Sequence, residues 1–229
     1  MILGNASIYL IFIVTMILSL FVQQMLQSRF KKYSKVPTSN GMSGAEVATK
    51  MLHDHGIYDV KVVPTNGSLT DHYNPNTKTI ALSEDVYASR NIAAAAVAAH
   101  ECGHAVQHAY AYGPLQMRSA LVPVVNFASN TVQWVLLAGI IFIERFPGLI
   151  WLGIALFAVT TLFSLITLPV EINASTRAVT WLNNAGITDS YTRPMAISAL
   201  KWAAYTYIIA AVSSLATLFY YIGIAQRRS

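Results

Sequence analysis

Charge is scarce in this chain. Asp, Glu, Lys and Arg supply 11% of its 229 residues, whereas a soluble domain carries about 25%. An ordinary water-soluble globule is excluded on that ground. Cysteine is scarcer still. A single residue, Cys102, cannot close an intramolecular disulfide, so a cross-linked scaffold is excluded and a reducing compartment fits. Internal repeats and low-complexity tracts are missing. The net charge of +5 is not gathered into a Lys/Arg-rich face, which argues against a nucleic-acid partner. What the chain has instead is apolar: 55% hydrophobic residues and a mean hydropathy of +0.48. This is the composition of a membrane protein with a modest water-facing part.

Four apolar runs are long enough to matter. Residues 8–22, with the uncharged 1–7 before them, can cross a bilayer core of roughly 30 Å. Arg29, Lys31, Lys32 and Lys35 follow at once. A signal peptide would place its positive charge first and a small-residue cleavage site last, and neither is found. The run reads as an uncleaved anchor, N-terminus outside and basic cluster inside. Residues 124–143 and 149–168 flank the polar turn Glu144-Arg145-Phe146-Pro147-Gly148 and read as a transmembrane hairpin closed by Pro169. Residues 205–224 form the fourth run. On this topology Arg145, Arg227 and Arg228 fall outside and the rest of the 15 lysines and arginines inside. The terminal arginine pair runs against the rule.

The chemistry lies in Ala98-Ala99-His100-Glu101-Cys102-Gly103-His104-Ala105. The alanine-rich run that starts at Ile92 predicts a helix, capped by Ser89 or Asn91 and ended before Gly113-Pro114. Residues four apart share a helix face, so His100 and His104 can grip one metal ion. Glu101 sits about 100° round the axis. There its carboxylate can take a proton from a water that the metal activates. This is the zinc-protease arrangement H-E-x-x-H. Cys102 lies off the ligand face and reads as packed. Gly103 reads as a place where another backbone comes close. His108, one turn further on, is expected beyond the metal's direct ligands.

Upstream, Ser43-Gly44-Ala45-Glu46 is a capping box opening a helix that stops at Gly56. Residues 58–63, 69–73 and 78–82 read as three strands of a small antiparallel sheet, with turns at Asn66-Gly67 and Asn74-Pro75-Asn76. Asp71-His72-Tyr73 is a polar cluster beside it, read first as turn chemistry and second as a contact to substrate or to a zinc ligand.

A catalytic zinc takes three protein ligands and leaves one position open. Glu171 is the third ligand chosen here. Two apolar runs separate it from His104, which returns the chain to the same side of the membrane. Glu144 is one run away and lands opposite. Asp189, in the turn-like Gly186-Ile187-Thr188-Asp189-Ser190, is the rival.

AAHECGHAVQH, LTDHYNPNTKTIALSEDVY and LPVEINASTRA together resemble the YugP-type family of bacterial membrane zinc metallopeptidases. The likeness covers the chain from Ser43 to about Tyr205. It implies a neutral peptidase with one Zn²⁺ per chain, held by His100, His104 and Glu171, with Glu101 as catalytic base. Glu171-Ile172-Asn173-Ala174-Ser175 is also similar to the E-x-x-A-D of HtpX-type membrane gluzincins. Ser175 stands where those proteins carry an aspartate that orients a zinc histidine. Asn173, Ser175 or Asp71 could take that part. For the oxyanion, His72, His108, Arg177 and nearby tyrosines are candidates.

The expected fold is mainly α: four transmembrane helices and a zincin-like α+β subdomain. Its parts are an anchor (1–28), a basic linker (29–42), the zincin-like subdomain (43–118), the hairpin (119–168), a cytosolic segment bearing Glu171 (169–204), and a last helix and tail (205–229). The expected activity is zinc-dependent endopeptidase action from a cytosolic site. Its partners would be a peptide or membrane-protein substrate, the lipid bilayer, and an oligomeric or regulatory membrane partner. Two other readings compete. A metal-binding scaffold without turnover would need a fourth ligand such as His108 or His72. A metal transporter would need ionisable groups inside the runs, which hold Asn126, Asn130 and Gln133 but no charge.

Overall fold

The computed structural model describes residues 5–228 of the chain, and side chains over 10–226. Residues 1–4 of the expected anchor and Ser229 of the expected tail lie outside the described residues. In chain order the elements are α1 (Asn5–Tyr33), α2 (Gly44–Asp54), β1 (Lys61–Thr65), β2 (His72–Asn74), β3 (Thr79–Ser83), α3 (Glu84–Tyr87), α4 (Ile92–Ala109), α5 (Gly113–Ile141), α6 (Pro147–Asn184) and α7 (Arg193–Arg228). They divide into two compact units. One holds the chain up to Phe21, Met117–Leu168 and the chain from Thr206; the other holds Val22–Gln116 and Pro169–Tyr205.

The first unit is mostly apolar. Helices α1, α5, α6 and α7 are each long and apolar enough to cross a membrane. Leu20, Phe127, Trp134 and Phe219 are among the large apolar side chains left exposed on them. Water would penalise such a surface, and lipid covers it without cost. Small residues let α5 and α6 close up. A Cβ added to Gly139 would lie 2.7 Å from the Ile150 Cα, and one on Gly153 would lie 2.7 Å from the Leu136 side chain. Helices in lipid associate through such close contacts. Leu136, Ile143, Ile150 and Ile154 pack with Ala225, and the Thr161 and Ser214 hydroxyls meet at 2.8 Å.

Pro169 does not close the hairpin, as the sequence suggested. Helix α6 passes through it and continues to Asn184. Proline forfeits one backbone hydrogen bond, the one that an N–H at this position would make to the Leu165 carbonyl. Beyond the proline, Val170, Ala174 and Ala178 are fully buried, and that packing outweighs the local penalty.

The second unit is built on α4. Asn91 caps it, its side chain accepting from the Ala94 N–H at 2.9 Å. The alanines that follow are buried against α2, whose apolar stripe is Val47, Ala48, Met51 and Leu52. The capping box of α2 is formed: Ser43 accepts from the Glu46 N–H, and Glu46 accepts from the Ser43 N–H at 2.7 Å. Arg90 clamps Glu46 from the side. From α6 and α7 the same core takes Ala178, Trp181, Leu182, Ala196 and Leu200.

The sheet corrects the sequence reading. Its order is β1-β3-β2, with β2 antiparallel and β1 parallel to β3, so it is mixed rather than wholly antiparallel. The cause is β3. Its Ile80, Ala81 and Leu82 are all buried, and a continuously apolar strand belongs in the centre of a sheet. The Asn66-Gly67 turn therefore opens a crossing loop instead of a hairpin. Asn74-Pro75-Asn76 does make the β2–β3 turn, with Asn74 Oδ1 accepting from the Asn76 N–H at 3.0 Å.

Candidate metal centre

Helix α4 places His100 and His104 on one face by its 3.6-residue repeat. Their rings stand edge to face, 4.8 Å apart between centroids. Helix α6 brings Glu171 to both. Glu171 Oε2 lies 3.2 Å from His100 Nε2 and 3.6 Å from His104 Nε2. Glu171 is buried, and the rings are almost so. Among the described residues, these three form the one group of ligand-type side chains drawn together, with donor atoms within 4.8 Å of one another. Asp189 is not part of it. Its carboxylate accepts from the Tyr191 and Thr192 N–H groups of its own turn at 2.9 and 2.7 Å. Glu144 belongs to the apolar unit.

The approach of α6 depends on Gly103. A Cβ there would sit 2.7 Å from the Ala174 carbonyl oxygen and 3.0 Å from the Ala174 Cα. The close backbone that Gly103 suggested in the sequence is this stretch of α6, one turn from Glu171.

The group fits zinc. Bonds of roughly 2.0–2.2 Å in a tetrahedron set ligand atoms about 3.3–3.6 Å apart, close to the two spacings observed. Two imidazole nitrogens and one carboxylate are a donor set that suits this ion. Each ring also turns its other nitrogen to a polar partner: His100 Nδ1 to Ser175 Oγ at 3.1 Å, and His104 Nδ1 to Gln107 Oε1 at 3.0 Å. Both Nε2 atoms are thereby left facing Glu171. Burial disfavours a charged His104, but the nearby Glu171 carboxylate and the charge of Glu101 outweigh it and hold its pKa above the usual histidine value. The site attracts positive charge.

The other candidates are spread around it. Glu101 is buried beside His100 on α4. Asn173 Oδ1 accepts from Arg177 Nε at 2.8 Å. Asp71 accepts from the Ser83 N–H at 2.8 Å, which ties the approach to β2 onto β3 and is local chain chemistry. His72 Nδ1 pairs with the Thr70 carbonyl at 2.8 Å, and His108 Nδ1 with the Tyr73 hydroxyl at 2.8 Å. Cys102 is fully buried with its thiol on the Ala48 carbonyl, and burial pushes that thiol far above its ordinary pKa. Gln107 was missed in the sequence. Its signal was there: a glutamine three residues after His104, on the same face of a helix otherwise poor in polar groups.

Residues 8–226 match the family described as "Putative neutral zinc metallopeptidase". The chain belongs to this zinc metallopeptidase family. It is 44% identical over 205 residues, 90% of either chain, to "Putative membrane protease YugP" of Bacillus subtilis (strain 168). No solved structure matches it. Membership of a zinc peptidase family agrees with the cluster of His100, His104 and Glu171, which could hold one metal ion, and a membrane relative agrees with the four long apolar helices.

Proposed function

We propose that the chain is a membrane-embedded zinc endopeptidase in which His100, His104 and Glu171 hold the metal and Glu101 is the general base. The observation that carries this reading is the convergence of two Nε2 atoms from α4 and one carboxylate oxygen from α6. A bound Zn²⁺ would polarise a substrate carbonyl and lower the pKa of water toward ~7. Glu101 follows His100 directly in the chain, so its carboxylate can accept the proton of the attacking water. The same carboxyl group then delivers that proton to the leaving amine. Burial of Glu171 and of the rings keeps competing water away and strengthens each electrostatic contact.

The basic residues after the first apolar run favour a cytosolic site. Glu171 follows closely on the third apolar run in sequence, which favours substrates that are themselves membrane-bound. A structural metal site would be closed by a fourth protein ligand. His72 and His108, the histidines weighed for that role, are not in the described group of His100, His104 and Glu171. Turnover is therefore the better reading.

Glu101→Gln tests it. Glutamine keeps the shape but cannot accept a proton. Zinc content should stay at the wild-type level while hydrolysis falls by ~10²–10⁴-fold. A rate equal to wild type would exclude Glu101 as the base.

A further inference from the structure

Gln107 is fully buried, and its amide makes three hydrogen bonds. Nε2 lies 2.8 Å from the Val170 carbonyl oxygen and 3.0 Å from Asn173 Oδ1, while Oε1 faces His104 Nδ1 at 3.0 Å. The orientation of that amide follows from its partners. A backbone carbonyl can only accept, so the nitrogen must face Val170. The Asn173 atom is also an oxygen, because Arg177 Nε on its other side can only donate. Both amide hydrogens are then spent, one on each acceptor. The Gln107 oxygen is left for His104, where it can only accept, and the proton it accepts is on Nδ1.

We propose that Gln107 is the positioning residue of the metal centre: it fixes His104 with the proton on Nδ1 and the lone pair of Nε2 toward Glu171, and it ties the helix bearing the histidines to the helix bearing the carboxylate. The second half follows from Val170, which directly precedes Glu171. One side chain of α4 thus holds a ligand ring on its own helix and the backbone beside the ligand on α6. The network ends at Arg177, whose guanidinium has only donors, so its polarity does not reverse. His100 has no such lock. Its partner is the Ser175 hydroxyl, which can donate as well as accept. Of the two histidines, His104 is the one whose tautomer is dictated.

The inference rests on the zinc-site reading above, and its test reads metal binding rather than peptide hydrolysis. The zinc dissociation constant of the full chain in detergent is measured by chelator competition, together with the visible spectrum of the Co²⁺-loaded protein. Gln107→Leu should weaken zinc about 10–100-fold, the usual cost of losing an orienting partner, and should shift the cobalt bands. A role in folding alone would lower the yield of folded protein but leave the bands of the loaded fraction in place. Asn173→Asp, which keeps the acceptor for both Gln107 and Arg177, should bind zinc more tightly than Asn173→Leu, which removes it. A folded Gln107→Leu protein with wild-type zinc affinity would overturn the proposal. If that variant does not fold, equal affinities for the two Asn173 variants would overturn it. His104→Ala serves as the control: wild-type zinc affinity there would overturn the ligand set itself, a different failure.

Discussion

Gly103 on α4 and Ala174 on α6 are in backbone contact: a Cβ on Gly103 would stand 2.7 Å from the Ala174 carbonyl oxygen. Two residues that bracket the contact, His104 and Glu171, face one another at 3.6 Å. Helix spacing and ligand spacing are thus one quantity. Backbone cannot move aside as a flexible side chain can, so a methyl group at position 103 must push the helices apart.

Gly103→Ala should therefore lose both stability and metal. Alanine gains about 1 kcal/mol of helix propensity. Overpacking costs about 1–3 kcal/mol, and contact with backbone puts this site toward the upper part of that range. A lower melting temperature in detergent and weaker zinc binding are expected. A variant that is more stable than wild type and keeps full zinc affinity would show that α6 is free to shift.

The zinc-free and zinc-loaded proteins should respond to pH in opposite ways. Burial opposes charge on His104, but Glu171 raises its pKa above the ordinary 6.5. A group whose pKa rises on folding contributes stability that is fully present below the unfolded value and is lost as pH climbs through the folded one. Zinc-free protein should lose that contribution as pH rises above 6.5. Zinc competes with the same proton, so zinc-loaded protein should gain over that interval and release metal as pH falls. Melting temperatures recorded against pH with and without zinc check this, and parallel curves would contradict it.

Local chemistry made much of the fold legible. The H-E-x-x-H spacing needs only the helical repeat, and Asn91, the Ser43–Glu46 capping box and the Asn74-Pro75-Asn76 turn each act within a few residues. What stayed hidden depends on partners far along the chain. Nothing near β1 says that β3 will slot in beside it and run parallel. Pro169 looked like a helix end because its local cost is real, and only the burial of Val170, Ala174 and Ala178 overrides it. Of the site, the histidines were plain, and Glu171 was reached by counting apolar runs. Gln107 was missed although it stands three residues after His104, because its tie to Val170, 63 positions away, is not written locally.

Topology has its own test. The basic cluster after the first apolar run favours a cytosolic metal site. Ser68 and Gly148 are both exposed, and the native Cys102 is buried with a thiol that resists ionisation, so background labelling should be low. A cysteine at position 68 should resist membrane-impermeant thiol reagents in intact cells, and one at position 148 should react. The reverse pattern would turn the protein over in the membrane while leaving its chemistry as described.

The central claim is that Glu171 completes the zinc site. Metal content of the purified full chain, measured for wild type, Glu171→Gln and Asp189→Asn side by side, tests it most directly. Glutamine keeps the size of Glu171 but removes the charge that two Nε2 atoms face, whereas the Asp189 carboxylate is engaged in its own turn. Wild type and Asp189→Asn should carry one zinc per chain, and Glu171→Gln should lose it. Zinc retained in Glu171→Gln and lost from Asp189→Asn would contradict the account.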